Sequence, residues 1–189
     1  MQGLAMKLTL LRVFLIPLFI LAFYCSPAVL GKWSALIIYT VACVSDYLDG
    51  YLARKMQEES LLGAFLDPVA DKLMVAVVMI VVLQSRPEWW LMLSTVVIIG
   101  REIWISALRE WMSAQNARGI VAVSNVGKWK TTLQMIALGF LIYQEDFIGL
   151  PIWLIGKTLM IVAVILTIWS MWIYNRAAYI YFIANNPKE

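Results

Sequence analysis

Six apolar stretches separated by short polar segments constrain the fold of this chain more than any other feature of its sequence. An α-helix needs roughly 20 residues to cross the hydrocarbon layer of a membrane, and several stretches reach that length only when a few charged residues are included. The composition agrees, since 62% of the 189 residues are hydrophobic and only 14% are charged. The stretches are Leu8–Phe23, Trp33–Ser45, Leu73–Leu83, Trp89–Gly100, Thr131–Tyr143 and Ile152–Tyr174.

This pattern predicts an all-α integral membrane protein, a six-transmembrane-helix bundle built as a single domain over residues 1–189. We find no sign of a second domain or of an internal repeat in the sequence. The first stretch resembles a signal peptide, but it lacks a convincing small-residue cleavage site, and five further apolar stretches follow it. We therefore interpret it as a retained first helix.

The distribution of lysine and arginine predicts the orientation of the bundle. One side carries most of the basic residues, whereas the opposite side carries only Lys32, Arg86 and Lys157. The basic side is expected to be cytoplasmic, and an even number of helices places both termini there. We therefore expect a multi-pass protein of the inner, cytoplasmic membrane. The net charge of +3 reflects this orientation and attraction to anionic lipid and phosphate, and we find no signature of nucleic-acid binding.

Four aspartates interrupt the predicted membrane helices. Asp46 and Asp49 follow the second stretch, and Asp67 and Asp71 precede the third. A spacing of three or four residues places each pair on one face of its helix. A rise of about 1.5 Å per residue, counted from the far ends of both helices, places Asp46 and Asp71 at the same depth. We therefore expect the four carboxylates to face one another near the cytoplasmic side, and the active site to lie there.

Ionised carboxylates at this depth require cationic partners, because desolvation and mutual repulsion disfavour them. Lys72 and Arg54 could neutralise part of the charge, and two divalent ions would balance all of it. The chain has no histidine, and its two cysteines, Cys25 and Cys43, have no paired spacing. Carboxylate oxygen is then the main ligand for a metal, which favours hard ions such as Mg²⁺ or Mn²⁺. Two such ions are suited to phosphoryl transfer by in-line displacement.

The residues around the aspartates resemble the signature of the CDP-alcohol phosphotransferase family. Its first part is DYLDGYLAR, from Asp46 to Arg54, and after eight residues its second part is GAFLDPVAD, from Gly63 to Asp71. The resemblance implies that Asp71 takes the proton of the acceptor hydroxyl. It implies that two divalent metal ions are held by Asp46, Asp49, Asp67 and Asp71. It also implies that the cytidine diphosphate group binds to Asp46, Gly50, Ala53, Arg54 and Gly63.

A group of basic residues on the same side predicts the kind of acceptor. By the rise per residue Arg101 lies near the level of the aspartates, and Arg109 recurs eight residues later. Lys128 and Lys130 begin the fifth helix. Such a basic wall suits an acceptor that itself carries a phosphate. Alternatively, Arg101 and Glu102 form an ion pair that fixes the helix register, and the other basic residues serve only membrane topology.

Two further runs resemble members of the family that transfer a phosphatidyl group from CDP-diacylglycerol to sn-glycerol 3-phosphate. They are REIWISALREW, from Arg101 to Trp111, and VSNVGKWKTT, from Val123 to Thr132. The resemblance implies a role in phospholipid biosynthesis, and it implies a homodimer. The chain departs from many relatives at Ala5-Met6, where they carry Pro-Asn or a similar pair before a Leu-Thr-x-x-Arg element, here Leu8 to Arg12.

Several alternatives stay open at the level of sequence. Another acceptor, such as inositol phosphate, serine or choline, would keep the reaction class. A divalent-cation transporter would also bury carboxylates, but it should carry charges along a path to the far side, where the second and third stretches are apolar. A lipid-binding or scaffold protein would not require four spaced aspartates. Asp67 before Pro68 could act only as a helix cap, and Gly50 and Gly63 could serve only close helix packing.

Overall fold

The computed structural model describes the chain as a bundle of α-helices, and this confirms the predicted all-α architecture. The described residues are 4–25, 28–56, 61–121 and 125–185, with side chains described over 8–25, 30–48, 66–117, 119–120, 127 and 129–185. A short 3₁₀ helix, Arg118–Val121, lies between the fourth and fifth α-helices. Within the described ranges the α-helices are α1 (Leu4–Cys25), α2 (Ala28–Met56), α3 (Leu61–Ser85), α4 (Trp89–Ala114), α5 (Asn125–Tyr143) and α6 (Ile152–Asn185).

Three of these helices are long and apolar enough to cross a membrane. Over the part of the chain that the structure describes, these segments are Leu8–Cys25, Trp89–Ala114 and Ile152–Asn185. The bundle also presents large apolar side chains on its outside, such as Phe14 and Val96, which are 72% and 64% exposed. A surface of this kind is unfavourable in water and suits contact with lipid chains. The helices therefore indicate a membrane protein.

The interior of the bundle is a packed apolar cluster. α1 packs against α2 and α3, and α5 packs against α6 and α2. Phe19, Val78, Leu138 and Met160 are fully buried where these helices meet. Because lipid chains are as apolar as these side chains, close packing rather than exclusion of water holds such helices together. The cluster fixes the relative positions of α1, α2 and α3, which carry the predicted aspartates and their surroundings.

A second, smaller cluster joins the ends of α4 and α6. It contains Ile105, Met112 and Tyr174, all almost fully buried. α4 ends where Asn116 adopts a left-handed backbone conformation with φ of 57°, and the amide of Ala117 donates to the carbonyl of Met112 at 2.9 Å. This pattern is typical of a helix C-terminus. The cluster holds the basic residues of α4 against α6.

The helices α2 and α3 continue through the aspartates without interruption. α2 extends to Met56, and α3 already begins at Leu61, six residues before Asp67. Pro68 therefore lies inside α3 rather than at its first turn. Since an N-cap residue precedes its helix, Asp67 does not cap α3, and the interpretation of Asp67 as only a helix cap is wrong.

Candidate active site

An ionic cluster centred on Arg12 joins α1, α2 and α3. The Nη1 group of Arg12 donates to Oδ1 of Asp46 at 2.9 Å and also to Asp71, and Nη2 donates to Oδ1 of Asp67 at 3.0 Å. Thr9, one turn before Arg12 on α1, donates from Oγ1 to the same oxygen of Asp67 at 2.6 Å. The side chain of Arg12 is only 3% exposed, whereas the three carboxylates are 38–41% exposed. The carboxylates therefore converge on one buried cation and keep an accessible side.

The structure thus brings together three of the four predicted aspartates, from positions 46, 67 and 71. Asp49 belongs to α2, one turn after Asp46, but its side chain lies outside the described residues. The surroundings of the other residues predicted to bind cytidine diphosphate, besides Asp46, also lie outside the described part of the structure. These are Gly50, Ala53 and Arg54 on α2 and Gly63 on α3.

The donor set of this cluster suits a hard divalent ion, because carboxylate oxygens are the ligands that Mg²⁺ and Mn²⁺ prefer. Among the described side chains, no group of three aspartate, glutamate, histidine or cysteine residues is arranged to hold a metal ion as it stands. The guanidinium of Arg12 instead lies among Asp46, Asp67 and Asp71. Three carboxylates against one guanidinium leave an excess of two negative charges. The residues therefore fit further cations, in charge and in ligand chemistry.

A cavity of about 250 Å³ opens beside the ionic cluster. Asp46 and Asp71 line it from α2 and α3, and Arg101, Arg109 and Lys130 line it from α4 and α5. The structure therefore places two predicted metal ligands and three of the four predicted acceptor-binding residues around one space. An anionic substrate in this cavity would contact the basic side chains while it faces the carboxylates.

Two further lysines were predicted near this cavity, and the structure describes the side chain of only one of them. Lys128 lies on α5, but its side chain is outside the described part of the chain. Lys72, predicted as a counter-charge for the aspartates, does line the cavity. Lys72 therefore lies where it can add positive charge between the carboxylates and the basic wall.

Two of the basic residues, Lys130 and Arg101, are held by one shared carboxylate, and the Lys130 ion pair joins α5 to α4. Lys130 Nζ donates to Oε1 of Glu102 at 2.5 Å, and Arg101 Nη1 donates to the same oxygen at 3.1 Å. Arg101 Nη2 also donates to Ser170 Oγ on α6 at 3.1 Å. Lys130 and Arg101 are 1% and 7% exposed. The contact between Arg101 and Glu102 is thus present, and it is compatible with a role in substrate binding because Glu102 holds both cations at the cavity wall.

Arg109 has binding capacity that its protein neighbours do not use. The guanidinium carbon lies 5.4 Å from the ring centre of Tyr174, and that of Arg101 lies 5.8 Å from the same ring. The Nε atoms of both arginines are buried and have no hydrogen-bond partner among the described residues. Buried donors of this kind are uncommon and costly. They favour an anionic ligand between α4 and α5.

Sequence reasoning missed Arg12 and Thr9 as members of the site. From the sequence, Arg12 is one of the basic residues of the cytoplasmic side and the last residue of the Leu-Thr-x-x-Arg element, and neither feature predicts a contact with the aspartates. It is, however, the one charged residue within Leu8–Phe23. A charge inside an apolar membrane stretch is typical of a functional or paired position, and this signal could have identified it.

Comparison with known proteins agrees with this site. The family described as CDP-alcohol phosphatidyltransferase matches residues 3–169. The chain therefore belongs to the CDP-alcohol phosphatidyltransferase family, which is a family of enzymes. The sequence around the four aspartates already resembles the signature of this family.

Individual proteins with a similar sequence point to one member reaction within this family. The chain is 47% identical over 173 residues to proteins of Escherichia coli (strain K12), Escherichia coli O157:H7 and Shigella flexneri. The similarity covers 90% of this chain and 92% of each relative. All three relatives are named CDP-diacylglycerol–glycerol-3-phosphate 3-phosphatidyltransferase.

Proposed function

We propose that this chain transfers the phosphatidyl group of CDP-diacylglycerol to sn-glycerol 3-phosphate, giving phosphatidylglycerophosphate and CMP in phospholipid biosynthesis. The observation that carries this proposal is the shared cavity, in which Asp46 and Asp71 face the basic side chains of Arg101, Arg109 and Lys130. An acceptor with its own phosphate fits such a wall. The names of the similar proteins support the same reaction.

In the proposed reaction the acceptor hydroxyl oxygen bonds to the β-phosphorus of CDP-diacylglycerol. The bond from that phosphorus to the bridging oxygen breaks, and CMP leaves with the bonding electrons. Asp71 accepts the proton of the hydroxyl, and its position in the cavity wall, beside Asp46, supports this role. Bound divalent ions would polarise the diphosphate and make the hydroxyl more acidic, so that a weakly basic carboxylate suffices.

The family is generally dependent on divalent metal ions. We propose two ions, Mg²⁺ or Mn²⁺, at this site. Full metal binding would require Arg12 to release some of its contacts, because the carboxylate oxygens that it contacts would also be the metal ligands. The proposed ligands are Asp46, Asp49, Asp67 and Asp71.

We propose that the two substrates bind to different parts of the site. The donor nucleotide would bind where small residues on α2 and α3 let it approach the backbone and where Arg54 offers a planar pair of donors to a phosphate. The acceptor phosphate would bind at the basic wall. The proposed donor residues are Asp46, Gly50, Ala53, Arg54 and Gly63, and the proposed acceptor residues are Arg101, Arg109, Lys128 and Lys130.

In the membrane we propose six spanning helices, formed by one domain over residues 1–189, with both termini and the active site on the cytoplasmic side of the inner membrane. The three long apolar helices α1, α4 and α6 support membrane insertion. The helices α2, α3 and α5 carry the charged residues of the site, and pairing among these residues would allow them to cross as well. A homodimer is proposed from the family resemblance alone.

The packing beyond the aspartates favours this enzyme over a divalent-cation transporter. On α2 the side chains of Ala35 and Tyr39 are buried, and on α3 those of Val78 and Val82 are fully buried in the apolar cluster. A transport path through these helices would need polar groups at such positions. Among their described side chains, the halves far from the aspartates are filled by apolar packing instead.

An acceptor panel tests the proposal directly. Purified protein would be supplied with CDP-diacylglycerol and Mg²⁺ or Mn²⁺, and with glycerol 3-phosphate, inositol phosphate, serine or choline. We expect glycerol 3-phosphate to give the fastest release of CMP together with phosphatidylglycerophosphate. Faster consumption of another alcohol would overturn the acceptor assignment and leave the reaction class intact, whereas no CMP release with any acceptor would overturn the reaction class.

A further inference from the structure

Gln134 is a buried polar side chain that the reaction described above does not use. It lies on α5 one turn after Lys130, is 3% exposed and lines the same cavity. Its amide oxygen Oε1 is buried and has no hydrogen-bond partner among the described residues. The buried serine and threonine side chains among the described residues differ in this respect. Ser94 and Thr167, for example, donate to carbonyls of their own helices at 2.8 and 2.6 Å.

A buried amide oxygen without a donor is costly, and an amide in a cavity wall is typical of a position that orients a ligand. A half-turn about the last side-chain torsion exchanges the oxygen and the nitrogen of the amide, so that either can face the cavity. Gln134 can therefore accept a hydrogen bond from a ligand or donate one to it.

The neighbouring side chains indicate which part of a ligand Gln134 would contact. Arg101, Arg109 and Lys130 supply cationic donors, which match a phosphate. Asp71, in the same wall, is the proposed proton acceptor for the reacting hydroxyl. Gln134 is neutral and carries both a donor and an acceptor, which matches a hydroxyl group, since a hydroxyl also does both.

We propose that Gln134 determines acceptor specificity by binding a second hydroxyl of the acceptor, adjacent to the hydroxyl that reacts. This inference rests on the proposed function, because it requires a polyol phosphate in the cavity. In glycerol 3-phosphate the second hydroxyl is the one at carbon 2. The enzyme should then select an acceptor with adjacent hydroxyls over one that has only the reacting hydroxyl and the phosphate.

The test compares kcat/KM for glycerol 3-phosphate and for 3-hydroxypropyl phosphate, which lacks the hydroxyl at carbon 2, with the full chain and CDP-diacylglycerol. We expect the unmodified protein to prefer glycerol 3-phosphate by about ten- to a hundredfold, because the acceptor without the hydroxyl at carbon 2 leaves the amide unpaired. Gln134→Leu should lose most of this preference, mainly through a lower kcat/KM for glycerol 3-phosphate. Turnover of 3-hydroxypropyl phosphate by the same variant shows that it is folded.

Gln144→Leu is the matched control. Gln144 follows α5 at its other end and donates to Ser85 Oγ at 2.6 Å, so its replacement should leave the preference unchanged. If Gln134→Leu keeps the preference of the unmodified protein, the inference is overturned while the proposed function stands. An equal loss with both acceptors would also overturn it, since Gln134 would then support only the fold. If the unmodified protein uses neither acceptor, the proposed function itself fails.

Discussion

At the scale of single residues, Arg12 determines how the three described carboxylates are held. Its side chain is 3% exposed and contacts Asp46, Asp67 and Asp71, each of which is about 40% exposed. Removal of one partner from such a group leaves like charges close together without compensation. A divalent ion that binds the same oxygens could replace this compensation. The stability of the metal-free protein should therefore depend on Arg12 more than the stability of the metal-loaded protein does.

Arg12→Gln tests this dependence. Without added divalent ions we expect the variant to lose about 1–3 kcal/mol of stability, a value below that of a fully buried pair because the carboxylates are partly solvated. Addition of Mn²⁺ should raise its unfolding temperature more than that of the unmodified protein. Thermal unfolding in detergent micelles, with and without Mn²⁺, measures both effects.

Arg176→Gln provides the control for Arg12→Gln. Arg176 lies near the end of α6, where its guanidinium carbon is 5.4 Å from the ring centre of Trp172. This change also removes one positive charge, but it should alter stability little and should not change the response to Mn²⁺. An Arg12→Gln variant as stable as the unmodified protein in a chelating buffer would contradict the role of Arg12.

Arg109 belongs to the proposed acceptor site, and its Nε is buried without a partner among the described residues. Arg109→Gln removes a charged donor at the cavity wall. We expect the KM for glycerol 3-phosphate to rise about ten- to a hundredfold, since hydrogen bonds to charged groups contribute about 1.5–3 kcal/mol. The KM for CDP-diacylglycerol should stay within about twofold. Steady-state kinetics with each substrate varied in turn measures both constants.

The control for this prediction is Arg86→Gln. Arg86 precedes α4 at the end away from Arg109, and its guanidinium carbon lies 4.3 Å from the ring centre of Trp153. We expect both KM values of this variant to match those of the unmodified protein. Equal losses of donor and acceptor affinity in Arg109→Gln would indicate general destabilisation and would exclude a specific acceptor contact.

At the scale of the helices, close packing of α5 against α6 depends on Gly156. A Cβ atom built at this position would lie 3.0 Å from Cβ of Phe140 and 3.0 Å from Cδ2 of Leu141. Because the Cβ of Phe140 is fixed by its own backbone, it cannot move away without a shift of the helix. The contact brings α6 close to α5, which carries Lys130 and Gln134.

Gly156→Ala should therefore destabilise the protein by about 1–3 kcal/mol. Gly100→Ala is the matched control, because Gly100 lies inside α4 and a Cβ there would meet nothing within 4 Å. This control should be neutral or stabilise by up to about 1 kcal/mol, since alanine favours the helix. Thermal unfolding of the two variants side by side measures the difference. Equal stability of the two would mean that the helices do not approach closely at Gly156.

The sequence predicted the helices and the approach of Asp46, Asp67 and Asp71, the three aspartates whose side chains are described, because both follow from residue spacing within consecutive helices. Helix ends were less accurate: the second apolar stretch was Trp33–Ser45, whereas α2 extends over Ala28–Met56. Backbone hydrogen bonds continue through polar residues as readily as through apolar ones, so hydropathy alone does not show where a membrane helix ends.

Contacts between distant helices could not be predicted in this way. Arg12 reaches aspartates 34–59 positions away, and Lys130 reaches Glu102, 28 positions away. Periodicity shows which face a residue occupies but does not show which helix lies against that face. The sequence accordingly identified the carboxylates and the basic wall, and it missed the arginine that joins the carboxylates and the pairing of Lys130 with Glu102.

At the scale of the whole molecule, the proposed orientation places the turn after α4 in the cytoplasm and the turn after α5 outside. Gln115 and Asp146 are exposed residues in these two turns. After replacement of Cys25 and Cys43 by serine, Gln115→Cys and Asp146→Cys would each supply one thiol for labelling.

We expect a membrane-impermeant maleimide to label Asp146→Cys in intact spheroplasts and Gln115→Cys only after permeabilisation, as the positive-inside rule requires. Labelling in the inverse pattern would reverse the orientation. Labelling of both thiols from the same side would contradict the proposal that α5, which lies between them, crosses the membrane.

At the scale of the whole molecule, carboxylates lie beside a cavity with basic walls, and the proposed reaction at this place depends on divalent ions. The most direct measurement is CMP release by the purified protein from CDP-diacylglycerol and glycerol 3-phosphate, before chelation, after chelation and after the return of Mn²⁺. We expect release to stop on chelation and to recover when Mn²⁺ is added. Undiminished release after thorough chelation would contradict the metal-dependent transfer proposed for these aspartates.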